Sequence, residues 1–189
     1  LLGFIPPTVD GVSVVLFFTL FLRWFSLPVA FLAGGLLALS SQNVSYSELG
    51  YIDHHYFITF LVAILAWLFQ RYDERRTRFR AVLFGAWAGG MVFFNVSAIQ
   101  FAVLGIMAAG GSAFLRRREE PLWPTAPLIF AAACATSLLA AFSTPAGRAG
   151  LITYDQTSLF QFLLIFGVSA VWGVGVAWVP GFSTTNGSA

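Results

Sequence analysis

The chain has 189 residues, of which 58% are hydrophobic and only 10% charged, with a formal net charge of +2. A soluble domain carries roughly a quarter charged residues, so the composition excludes one and makes the chain a single membrane-embedded unit. All its cations except the two histidines are arginines, gathered in clusters rather than in a stripe with stacking aromatics, which excludes nucleic acid as a partner.

In chain order, residues 1–10 read as a short lead broken by Pro6-Pro7. The start at Leu1, with no basic region followed by an apolar core and a cleavage site, predicts a piece of something longer or a processed product. Residues 11–27 form the first apolar run, with Arg23 beside Trp24 near its end, placed to snorkel to an interface. Pro28 predicts a break, and 29–39 a small-residue segment with Gly34-Gly35 at its middle. A crossing needs about 20 residues, so this segment either extends through Ser41 or packs as a buried half-span. A polar loop, 42–52, leads to a third span at 54–70.

Residues 71–80 carry five of the ten arginines, and Arg116-Arg117-Arg118 opens a second basic cluster at 116–120. Cytoplasmic loops hold the excess of arginine, so both clusters are expected on that side, as topology determinants that also meet anionic lipid headgroups. The residues between them must then cross an even number of times. Two short spans, 81–94 and 98–115, fit with a tight outer turn near Asn95 and Gln100. Gly89-Gly90 and Gly110-Gly111 predict close helix approach. Trp123 marks an interfacial lead, 128–142 a sixth span, 143–157 an outer loop with Tyr154-Asp155, and 158–179 a seventh span. Cys134 is alone in an apolar run, so no disulfide forms within the chain. The expectation is an all-α polytopic bundle of about seven spans over residues 1–180, starting outside and ending inside, with a flexible polar tail at 181–189.

One stretch says more than this. Glu48-Leu49-Gly50-Tyr51-Ile52-Asp53-His54-His55 holds both histidines and an acid at the lip of an uncharged run. Charged and ionisable groups are costly at a membrane helix unless solvated, paired or bound. Counting back from the cytoplasmic 71–80 cluster puts this stretch outside, on the same face as the Asn95–Gln100 turn and the Tyr154-Asp155 loop. A carboxylate and a neutral imidazole can share a divalent ion: manganese or zinc, with magnesium disfavoured by the nitrogen. Such an ion would neutralise and orient a phosphate or pyrophosphate leaving group.

The order of these parts, from Pro6-Pro7 through the motif to the glycine-rich span ending near Gly111, resembles the catalytic subunit of the oligosaccharyltransferases. Those are membrane glycosyltransferases of the GT-C superfamily. The resemblance is sharpest at Gly50-Tyr51-Ile52-Asp53-His54-His55, where the family carries an Asp-x-Asp or Asp-x-His motif. It implies Asp53 as the catalytic and metal-binding carboxylate, His55 as the second metal ligand, and Glu48 and His54 as the nearest groups for substrate. It also implies a GT-C-like fold, a polyprenyl-linked sugar donor, and a site on the outer face of a prokaryotic plasma membrane. Tyr46 and Ser47 stand where many members have an arginine. The family's first acidic motif, its later acidic loop and its soluble C-terminal domain are not among these residues, so an incomplete site is expected.

Plainer roles compete for each residue. Asp53 can act as an N-cap that opens the third span. His54 reads as an interfacial histidine, Glu48 as a solvated loop acid, and Asn95, Gln100 and Asp155 as ordinary turn polars. Two function classes remain: a metal-assisted glycosyltransferase using membrane lipid-linked sugar, or a non-catalytic subunit packed against other membrane subunits. For Asp53 and His55 to reach one ion, Asp53 must be non-helical, with the span starting at about His54 or later, because residues two apart diverge within a helix.

Overall fold

The computed structural model describes residues 4–40, 55–115, 125–153 and 156–178. Among these the chain is all helix: α1 (Ile5–Trp24), α2 (Leu27–Ala38), α3 (His55–Glu74), α4 (Arg78–Phe94), a 3₁₀ turn (Val96–Ala98), α5 (Ile99–Leu115), α6 (Ala126–Ser143), the short α7 (Pro145–Arg148) and α8 (Leu159–Trp178). Each of the seven apolar runs expected from the sequence falls on one of the longer helices. Among the described residues, three stretches are long and apolar enough to cross a membrane: Ile5–Trp24, Val96–Ala113 and Ala126–Ser143. Leu27–Ala38 and Leu159–Gly173 are shorter apolar helices. The 181–189 tail and the 116–120 cluster lie outside the described residues.

The start of the chain departs from expectation. Residues 5–10 are not a lead; they are the first turns of α1, with Pro6 and Pro7 inside the first turn. Proline is tolerated there because the first amides have no intrahelical acceptor to lose. The consequence is that Asp10 lies on α1 and is buried, on a seam with Pro6, Ser13 and Leu20. Hydroxyls along α1 are satisfied by the helix itself: Thr8 donates to the Phe4 carbonyl at 2.7 Å and Ser13 to the Val9 carbonyl at 2.8 Å. The break before α2 falls at Phe25-Ser26, and Pro28 sits in the first turn of α2 rather than in the break.

Consecutive long helices run in opposite directions, as cross-contacts at matching levels show. Trp87 of α4 donates its indole N–H to the Leu61 carbonyl of α3 at 3.1 Å. A β-carbon on Gly34 of α2 would touch the Phe18 ring of α1. Arg23 at the end of α1 pairs with Glu74 at the end of α3, so those two helices are parallel.

The tightest packing is between α4 and α6. Ala81, Phe84, Gly85, Ala88, Gly89 and Val92 of α4 are buried, facing Ala126, Ile129, Phe130, Ala133 and Ala140 of α6. A β-carbon at Gly85 would collide with the Ile129 carbonyl, and one at Gly89 with the Ala133 carbonyl and the Thr136 hydroxyl. Small residues at this spacing let two backbones meet, which is how helices associate where no water is expelled between them. Of the predicted glycine pairs, Gly89 and Gly110 make the approach, the latter against the Trp172 ring, while Gly90 and Gly111 face open space. Leu61, Leu65 and Leu68 of α3, Ala102 and Ile106 of α5, and Ile165 of α8 complete the core.

Candidate functional site

The bundle has two chemically distinct ends. At the first, α3 begins. Glu48, Asp53 and His54 lie outside the described residues, as does the side chain of His55, whose backbone is the first residue of α3. The frame around that helix start is described. Phe57, in the first turn, packs its ring against Phe94 at the end of α4 with centroids 5.9 Å apart. Phe94 continues to Trp87 at 6.4 Å and Phe93 at 5.5 Å.

Directly after Phe94 the chain turns. Asn95 leaves the helix in extended conformation, and its side-chain oxygen accepts from the Ser97 amide at 2.8 Å. Asn95 is thus the cap that closes the turn into α5, while Gln100 is exposed. The start of α3 and this turn therefore sit at the same end, as the sequence predicts.

Residues 144–153 and 156–158 lie at that end. The Thr157 hydroxyl donates to the Val92 carbonyl of α4 at 2.9 Å, and the Thr144 hydroxyl lies 2.6 Å from the Thr157 carbonyl. Gly150 takes a left-handed conformation, φ 71, which lets the Gly150 and Leu151 amides fold back onto the Gly147 and Ala146 carbonyls. Ser158 caps α8: its amide donates to the Gln161 side chain at 2.8 Å, and its hydroxyl accepts from the Phe160 amide at 3.2 Å. This reciprocal Ser-x-x-Gln arrangement is a capping signature legible in the sequence. Tyr154 and Asp155 lie outside the described residues.

The opposite end gathers the arginines. Arg23, Arg71, Arg75, Arg76, Arg78 and Arg80 lie there with Asp73 and Glu74. Arg76 is folded inward, donating to Asp73 at 2.8 Å and to the Ser112 hydroxyl of α5 at 3.1 Å; that hydroxyl in turn donates to Asp73 at 2.9 Å. Arg80 donates to the Arg71 carbonyl at 2.5 Å, and the Tyr72 hydroxyl meets that of Thr125, just before α6, at 3.0 Å. The sequence assigned these arginines to topology and to anionic lipid headgroups. It gave no sign that Arg76 and Ser112, 36 positions apart, belong to one part-buried cluster.

Among the described residues, no group of three or more His, Cys, Asp or Glu side chains comes together to hold a metal ion. The apolar groove between α5 and α8, about 320 Å³ and lined by Met107, Leu163, Leu164, Gly167, Val168, Val171 and Trp172, offers no reactive group. No family of known proteins, no characterised protein and no solved structure matches this chain.

Proposed function

We propose that the chain is the membrane part of an oligosaccharyltransferase-like glycosyltransferase, with seven crossing helices and its site on the outer face. Its donor is a sugar or glycan on a polyprenyl phosphate or pyrophosphate. The observation that carries this reading is that α3 opens at His55, the last residue of the Asp53-His54-His55 motif, at the bundle end away from the six arginines. Asp53 thus precedes the part of α3 that is described. In an extended approach, residues two apart project to one side, so Asp53 and His55 would hold a divalent ion between them. The donor set of one carboxylate and one imidazole fits manganese or zinc better than magnesium. When bound, such an ion supplies charge neutralisation for the departing phosphate. Glu48 and His54 are the adjacent groups for substrate.

The test is binding rather than turnover. Manganese titrated into the purified chain, followed by electron paramagnetic resonance, should show a site weakened about 10-fold or more by Asp53→Asn and by His55→Ala. Identical titrations for all three proteins would leave Asp53 as a helix cap only.

A second reading, a non-catalytic subunit of a larger membrane complex, is favoured by α2. Of its twelve residues only Ala30 and Gly34 are buried, leaving Phe31, Leu32 and Leu36 open to lipid or to a neighbouring helix. Co-purification of a stoichiometric membrane partner, lost on Phe31→Ala/Leu36→Ala with the helical spectrum kept, would select this reading.

A further inference from the structure

We propose that Arg75 and Arg78 form a binding site for the phosphate of an anionic phospholipid headgroup, with Phe79 seated in the lipid beside it. The inference does not depend on the chain being an enzyme.

The sequence presents the 71–80 arginines as one undivided cluster, but the structure divides them. Arg76 is spent on Asp73 and Ser112. Arg80 reaches the Arg71 carbonyl. Arg71 stacks over the Trp67 ring at 5.3 Å and lies 3.8 Å from Glu74, which also holds Arg23. Asp73 and Glu74, the acids at this end among the described residues, are thereby engaged. Arg75 and Arg78 are exposed, on either side of the short connector between α3 and α4, and neither has an ion pair or hydrogen bond from its side chain among the described residues. Two positive charges thus stand within four residues with no anion among the described residues paired to them.

Their setting decides what meets them. Phe79, the next residue, is 74% exposed, which water does not favour. Trp24 and Phe25 at the end of α1, and Trp67 on α3, are exposed at the same end. Exposed aromatic side chains at one level of an apolar bundle mark the membrane–water interface. Charge therefore selects an anionic headgroup over a zwitterionic one, and the adjoining aromatics select a lipid over free phosphate. Each arginine near an anionic leaflet contributes on a scale that corresponds to roughly 5-fold in affinity.

The experiment counts lipids bound to the purified chain in neutral detergent, by native mass spectrometry, during titration with phosphatidylglycerol or phosphatidylcholine. Wild type should prefer phosphatidylglycerol, and Arg148→Gln, an exposed arginine at the other end, should keep that preference. Arg75→Gln/Arg78→Gln should lose roughly 25-fold of it, and each single variant roughly 5-fold, while Arg75→Lys/Arg78→Lys retains most of it. The single variants decide the matter if the double variant loses its helical circular dichroism. An unchanged preference in the glutamine variants, no preference in wild type, or displacement of the lipid by millimolar inorganic phosphate would each overturn the assignment.

Discussion

Arg23 and Arg76 each pair with an acid at the same end of the bundle, but burial makes the two pairs unequal. The Arg23–Glu74 side chains are 47% and 31% exposed, so water and salt already screen them, and such pairs contribute about 0–1 kcal/mol. The Arg76 side chain is 8% exposed and shares Asp73 with the Ser112 hydroxyl. Removing Arg76 leaves Asp73, 25% exposed and still held by Ser112, without its charge-assisted hydrogen bond, which costs about 2 kcal/mol. We therefore expect Arg76→Ala to lower stability by about 2 kcal/mol and Arg23→Ala by under about 1 kcal/mol, in urea unfolding of the detergent-solubilised chain. Equal effects would mean that the Arg76 cluster is as solvated as the surface pair.

Among the helices, α4 and α6 hold the bundle together by proximity. Because a β-carbon at Gly85 or Gly89 meets backbone carbonyls, which cannot rotate away, the two helices must separate. Gly85→Ala and Gly89→Ala should each cost about 1–3 kcal/mol. Gly90→Ala, which meets nothing, should be neutral or stabilising by up to about 1 kcal/mol through helix propensity. Thermal unfolding of the three variants gives the ranking, and a Gly90→Ala loss equal to the others would exclude backbone contact as the cause. At the start of α8, Ser158→Ala removes a buried cap and should cost about 1 kcal/mol in the same assay.

For the whole molecule, the alternation of helix direction separates the arginine end from the end where α3 begins. A thiol probe on intact cells checks this, in a Cys134→Ala background. Thr77→Cys and Arg148→Cys lie at opposite ends and are both exposed. The expected outcome is labelling of Arg148→Cys from outside and of Thr77→Cys only after permeabilisation. Labelling of both from one side would break the two-ended arrangement.

The sequence by itself determined the helical class of the described residues, the approximate place of each long helix apart from the start of α1, and the contrast between the two ends. These follow from hydropathy and charge along the chain, because whether a segment leaves water depends mainly on its own side chains. It placed the turn at Asn95 and the start of α3 at one end for the same reason. It misjudged residues 5–10, since two prolines read as a break unless one knows they fall in a first turn. Tertiary structure alone decided which glycine of each pair touches a neighbour, that Arg76 turns inward while Arg75 and Arg78 do not, and that Ser112 of α5 reaches Asp73 of α3. Those outcomes depend on how each helix is rotated about its axis, and that rotation is set by the shape of the facing helix, which no local pattern carries.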